Sequence, residues 1–186
     1  PGSEKPARAN DRSPVHIAPR HLACHHAGVT EKERHARYIV LTLRDHGFVA
    51  YFAGGCVRDR LLSLEPKDFD VATNARAEVV QRLFPNTVPV GIQFGVVLVV
   101  DDGTPCEVAT FRSDGIYLDG RHPTSVHFSN AQEDARRRDF TINGMFYDPL
   151  TDEVIDYVGG RADLQAKVIR AIGDPYARFA EDRLRM

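Results

Sequence analysis

A chain of 186 residues is long enough for one substantial domain and the start of another. Its apolar fraction of 42% is that of an ordinary globular protein, and its net charge of −2 gives no overall basic field of the kind that announces nucleic acid. Three widely spaced cysteines, Cys24, Cys56 and Cys106, form no C-x-x-C pair. They argue against a disulfide framework or a zinc site and suit a reducing, cytoplasmic setting. No run approaches the apolar length of a membrane span.

Residues 1–29 are polar, carry Pro6, Pro14 and Pro19, and read as a flexible segment. Its His21, Cys24, His25 and His26 lack the spacing of a metal clip. Order is expected from Thr30, which forms a capping-box pattern with Glu33. Tyr38, Ile39, Leu41 and Leu43 give the following helix an apolar side, and Gly47 stops it. A β-type run from Phe48 to Ala53 ends at Gly54-Gly55. Val57, Leu61, Leu62 and Leu64 predict a short helix that finishes before Pro66. Phe69 and Val71 alternate with Asp68 and Asp70, which predicts a strand over 68–72. Thr73 or Asn74 then caps a helix running to about Phe84. Phe94 to Val100 and Cys106 to Phe111 flank Asp101-Asp102-Gly103 and predict a hairpin. Residues 113–129, with Gly115, Gly120 and Pro123, read as a mobile loop. A helix from about Ala131 carries Arg136, Arg137 and Arg138. Short apolar pieces follow at 140–147, 153–157 and 168–172, and a last helix begins near Pro175. The order of elements predicts an α+β layout, a small mixed sheet with helices on one side.

Five blocks carry chemistry. Gly54-Gly55 after a strand lets the backbone approach a bulky anion, and Arg58 adds a fork of donors for phosphate. Asp68 and Asp70, if on a strand, point the same way about 6.6 Å apart. Two carboxylates so placed repel unless cations sit between them, and magnesium bridges such groups to substrate phosphates; the pair is either such a site or a solvated acidic strand face, the commoner case for D-x-D alone. Glu107 stands in an otherwise apolar strand, where a carboxylate is costly without a partner. It is either a third metal carboxylate or the partner of an arginine, and Arg112 at the strand end is either that partner or a phosphate ligand. In Arg136-Arg137-Arg138-Asp139-Phe140-Thr141-Ile142-Asn143, Asp139 and Asn143 fall one turn apart if the helix continues, a pair suited to ribose hydroxyls. Asp182 and Arg185 form either an ordinary i,i+3 ion pair or a donor–acceptor edge for a base.

In this order the blocks GGCVRDRLL, KDFDVAT, EVATFR, RRRDFTIN and EDRLR resemble the class II nucleotidyltransferase head of bacterial tRNA CCA-adding enzymes and their poly(A) polymerase relatives. The resemblance runs from about Tyr51 to Met186. It implies a polymerase-β-like fold over residues 30–173, with 174–186 beginning a helical neck and further helical domains gripping RNA. It implies that Asp68, Asp70 and Glu107 hold two Mg2+ ions and that Gly54, Gly55, Arg58 and Arg112 meet the nucleotide. Arg138, Asp139 and Asn143 match the ribose-selecting block, with Asp139 also serving catalysis, and Asp182 and Arg185 match the pair that templates the base. Arg183 departs from the proline of many relatives. The implied partners are ATP, CTP and an RNA 3′ end, most of all that of tRNA, with no membrane. Tyr117 to Pro123 favours the CCA-adding branch over CC-adding, A-adding and poly(A)-forming enzymes. A nucleotide-binding module without turnover is the alternative of another class.

Overall fold

The computed structural model describes residues 29–114 and 125–176. The expectations for residues 1–28, for Tyr117 to Pro123 and for Asp182 and Arg185 lie outside the described residues. The first helix, α1 (Glu31–Asp45), begins where the capping pattern placed it, with Thr30 Oγ1 accepting the Glu33 N–H. Gly47 takes a positive φ of 81°, and the chain turns back so that Phe48 N–H reaches the Leu43 carbonyl. The strands that follow are β1 (Ala50–Ala53), β2 (Asp70–Thr73), β3 (Thr87–Gly91), β4 (Val96–Asp101), β5 (Thr104–Thr110), β6 (Arg112–Asp114), β7 (Val126–Phe128), β8 (Phe146–Asp148) and β9 (Glu153–Ile155). Between them stand α2 (Gly55–Leu61), α3 (Ala77–Leu83) and α4 (Ala131–Arg137), and α5 (Gly160–Ala166) follows β9.

Seven strands form one sheet in the order β3-β4-β5-β2-β1-β8-β9. Only β2 and β5 run parallel, so the sheet is mixed, as expected of the α+β layout. Asp102 and Gly103, at φ 44° and 77°, make the two-residue hairpin between β4 and β5. One face buries Phe52, Val71, Val97, Val99 and Val108 beneath Ala36, Ile39, Val40 and Leu43 of α1 and Val80 of α3. Cys56 and Val57 of α2 join the same cluster. The other face carries a smaller cluster of Ala53, Ala72, Phe111 and Phe146, and α4 adds Ala135 to it. Helices therefore cover one face as expected, and α4 touches the second.

Several boundaries moved for physical reasons. The strand expected over 68–72 begins at Asp70, because pairing with β1 and β5 starts there and Lys32 Nζ draws the preceding Lys67 carbonyl and Asp68 carboxylate toward α1. Neither Thr73 nor Asn74 caps α3, whose cap position is Arg76. Thr73 Oγ1 donates to the Val49 carbonyl, and Asn74 Oδ1 accepts the Val49 N–H. The ends of the expected loop 113–129 are ordered, since β6 and β7 pair in a two-stranded sheet. α4 stops at Arg137, with Arg138 turned extended at ψ 167°. Asp139 and Asn143 therefore do not share a helix, and Asn143 ends a separate 3₁₀ turn, Thr141–Asn143. Strand β3 and helix α5 were not anticipated.

α5 holds that 3₁₀ turn in place. Thr141 Oγ1 donates to Asp163 Oδ2 at 2.7 Å, and a Cβ on Gly160 would stand 2.1 Å from the Thr141 carbonyl oxygen. Gly160→Ala is expected to cost about 1–3 kcal/mol, as overpacking does. Gly159→Ala meets nothing within 4 Å and suffers only the strain of φ 79°. Thermal unfolding of both variants checks this; a smaller loss at Gly160 than at Gly159 would contradict it.

Candidate functional site

Strand register builds the site. Across the sheet, Ile155, Phe146, Ala53, Asp70, Glu107 and Leu98 are successive partners on five paired strands and β9. Partners in register point to the same face. Two acids thus occupy adjacent places in the middle of an otherwise apolar row, on parallel strands whose backbones lie about 4.8 Å apart. Both side chains are exposed, so Glu107 is not the buried carboxylate that its apolar strand suggested. Its neighbours Cys106 and Val108 face the core instead.

Crowding sets the protonation of Asp70. Partial desolvation raises its pKa first, the Glu107 carboxylate raises it further, Arg138 lowers it, and Asp68 adds repulsion, leaving it at about 6. Asp68 itself is turned the other way, with its Oδ1 2.8 Å from Lys32 Nζ and its side chain 78% exposed. Among the described residues, no three His, Cys, Asp or Glu side chains converge as a ready metal-ligand set. The three carboxylates named from the sequence are therefore brought near one another, but only Asp70 and Glu107 face each other directly. Two hard oxygen donors with excess negative charge fit a divalent cation, and Lys32 stands at Asp68 as a positive charge in the same neighbourhood.

The Gly54-Gly55 turn adjoins the acids. Gly54 has φ 76° and ψ −136°, a conformation that side chains rarely adopt. A Cβ there would come 3.3 Å from Arg138 Nη1 and 3.9 Å from Asp70 Oδ2, so the bare glycine lets arginine, aspartate and turn approach one another. Arg58, on the first turns of α2, donates from Nε and Nη2 to Asp59 and from Nη1 to Asn143 Oδ1 at 2.7 Å. The glycine turn and the Asn143 block, far apart in sequence, meet through this arginine. Asp139 Oδ1 accepts the N–H of Phe140, and its backbone carbonyl accepts that of Ile172. Arg112 donates from Nη1 to the Phe94 carbonyl. Its backbone N–H donates to Asp134 Oδ1.

Three residues that sequence reasoning passed over support the site. Asp134, 1% exposed, receives Arg137 and Arg138; the i,i+3 and i,i+4 spacings were its legible signal. Cys106 Sγ donates to the Phe69 carbonyl at 3.2 Å, and Cys56 Sγ donates to the Ala53 carbonyl at 3.3 Å. Both thiols thus lie under the start of β2. Burial pushes the Cys56 thiol up to about 11 and that of Cys106 higher still, so both are neutral packing groups.

The chain belongs to the family of the poly A polymerase head domain, whose model matches residues 50–170. It is 48% identical over 159 residues to the CCA-adding enzyme of Bacillus pumilus (strain SAFR-032), covering 85% of this chain and 40% of that protein. With the CCA-adding enzyme of Anoxybacillus flavithermus (strain DSM 21510 / WK1) it shares 45% identity over the same shares of each chain. The crystal structure of Bacillus stearothermophilus CCA-adding enzyme in complex with CTP superposes with a TM-score of 0.75 at 40% identity, over 84% of this chain and 38% of that one. A tRNA nucleotidyltransferase complexed with a primer tRNA and an incoming ATP analog superposes at 0.63 with 32% identity, over 79% and 42%. The chain spans about two fifths of the length of these curated relatives. No helix among the described residues is long and apolar enough to cross a membrane.

The raised pKa of Asp70 has a consequence for stability. A carboxyl whose folded pKa of about 6 exceeds its ordinary 3.8 contributes stability that is fully present below 3.8 and lost as pH rises through 6. Asp70→Asn, measured in a chelator, should therefore raise Tm above pH 6, with the gain fading toward pH 4. A gain that is the same at both ends, or a loss at high pH, would contradict this.

Proposed function

We propose that the chain is the catalytic head of a template-independent RNA nucleotidyltransferase that adds CMP and AMP to the 3′ end of tRNA, completing CCA. The observation that carries this is the pairing of Asp70 with Glu107 beside the Gly54-Gly55 turn, where Arg58 and Arg138 converge. The solved relatives with CTP and with a primer tRNA and ATP analog support the choice of ATP, CTP and tRNA as partners.

In this reading Asp68, Asp70 and Glu107 hold divalent magnesium, two ions, with Asp68 released from Lys32. When bound, the metal neutralises triphosphate charge and lowers the pKa of the attacking hydroxyl. The glycine turn, Arg58 and Arg112 receive the triphosphate. Arg138, Asp139 and Asn143 bind the ribose, Asp139 also serves catalysis, and Asp182 and Arg185 read the base. The RNA 3′-oxygen bonds to the α-phosphorus, the bond from that phosphorus to the pyrophosphate oxygen breaks, and the hydroxyl proton is released. Most of the protein's contribution is positioning and charge complementarity. The setting is cytoplasmic. A second reading is a nucleotide-binding module without turnover.

A tRNA lacking its 3′ end, incubated with CTP, ATP or both, should acquire terminal CCA. Products ending in CC, in a single A or in a long A tail would each name a different enzyme. Nucleotide binding without any extension would favour the module. Asp68→Ala with Asp70→Ala should reduce incorporation by at least about a thousandfold, since it removes charge stabilisation worth several kcal/mol. Undiminished incorporation would overturn the assignment.

A further inference from the structure

We propose that Asp134 is a positioning residue for nucleotide binding, holding Arg138 so that its Nη1 is presented at the Gly54 turn beside Asp70. The proposal rests on the nucleotide-site reading above. Asp134 is 1% exposed, and a carboxylate so deeply placed must be paired. Its two oxygens divide their partners. Oδ2 accepts from Arg138 Nε at 3.2 Å and Nη2 at 3.0 Å. Oδ1 accepts from Arg137 Nε at 2.8 Å and from the Arg112 backbone N–H at 3.2 Å. One buried group thereby ties the start of β6 to the end of α4.

The grip on Arg138 fixes direction as well as place. Two of its three nitrogens are held by one carboxylate oxygen, and the Phe146 ring lies 5.2 Å from the guanidinium carbon. The remaining nitrogen, Nη1, is the one that a Cβ on Gly54 would approach to 3.3 Å, with Asp70 Oδ2 3.9 Å from the same point. A planar fork clamped on one edge presents its other edge at a defined angle, which a flexible ammonium cannot do. The edge so presented faces the turn at which a polyanionic nucleotide would be received.

Asparagine at 134 keeps the shape but offers one acceptor oxygen in place of two. It must release either the Arg138 fork or the Arg137 and Arg112 contacts. Calorimetric titration of this chain with ATP and Mg2+ tests the consequence. Asp134→Asn should weaken ATP by about tenfold, the scale of a lost charge-assisted hydrogen bond. Arg138→Ala should weaken it as much, and the double variant no further, because the first residue acts through the second. Parent affinity in a folded Asp134→Asn, or losses that multiply in the double variant, would overturn the proposal. If Asp134→Asn does not fold, Arg138→Lys decides: a loss equal to that of Arg138→Ala supports the clamp, and parent affinity refutes it. A parent chain that binds no ATP would refute the nucleotide-site reading itself, whereas binding that ignores Asp134 sinks the clamp alone.

Discussion

The repulsion between Asp70 and Glu107 is the constraint on which the rest of the site depends. Strand register puts the two carboxylates side by side in a row whose other members are apolar. Neighbouring strands cannot move apart without losing their ladder, so the chain cannot relieve the repulsion by separating them. Desolvation first and then this repulsion raise the Asp70 pKa to about 6, so protonation relieves part of the strain and Arg138 another part. A divalent cation would relieve it fully. The same charge excess that costs stability in the resting fold is what gives the proposed site its affinity for metal.

The surrounding structure sets the geometry of that excess. Beneath the site, Cys56 of α2 holds the Ala53 carbonyl at the end of β1 and Cys106 of β5 holds the Phe69 carbonyl just before β2. From above, Arg138 is clamped by Asp134 and passes over a glycine that makes room for it. The turn and the Asn143 block are joined by Arg58, and α5 supports the 3₁₀ turn that carries Asn143. Each link is local and modest. Together they bring four segments that are remote in sequence to one end of the central strands β1 and β2.

Much of this was legible from the residues. The cap at Thr30, the stop at Gly47, the Asp102-Gly103 hairpin and the mixed α+β layout all follow from short-range rules that the structure obeys. Asp70 and Glu107 were legible as chemistry, because acids in apolar strands ask for a reason. What local pattern could not supply was long-range. Alternation placed Asp68 on the strand beside Asp70, but the Lys32 ammonium, 36 residues away, takes its carboxylate and pulls it aside. Helical spacing joined Asp139 to Asn143, but α4 ends at Arg137 and the link to Asn143 comes from Arg58. β3 carries Pro89 and lies at the sheet edge, where a proline hides the strand from pattern reading. Asp134 had only its i,i+3 and i,i+4 arginines as a local signal, and its burial is a product of the fold.

The most direct test is Mn2+ binding, read by the loss of the free-ion electron paramagnetic resonance signal, in the parent chain and in Asp70→Asn. The account predicts saturable binding by the parent at neutral pH, and its loss in the folded variant. Equal binding by both would mean that the Asp70–Glu107 pair is not where the cation is held.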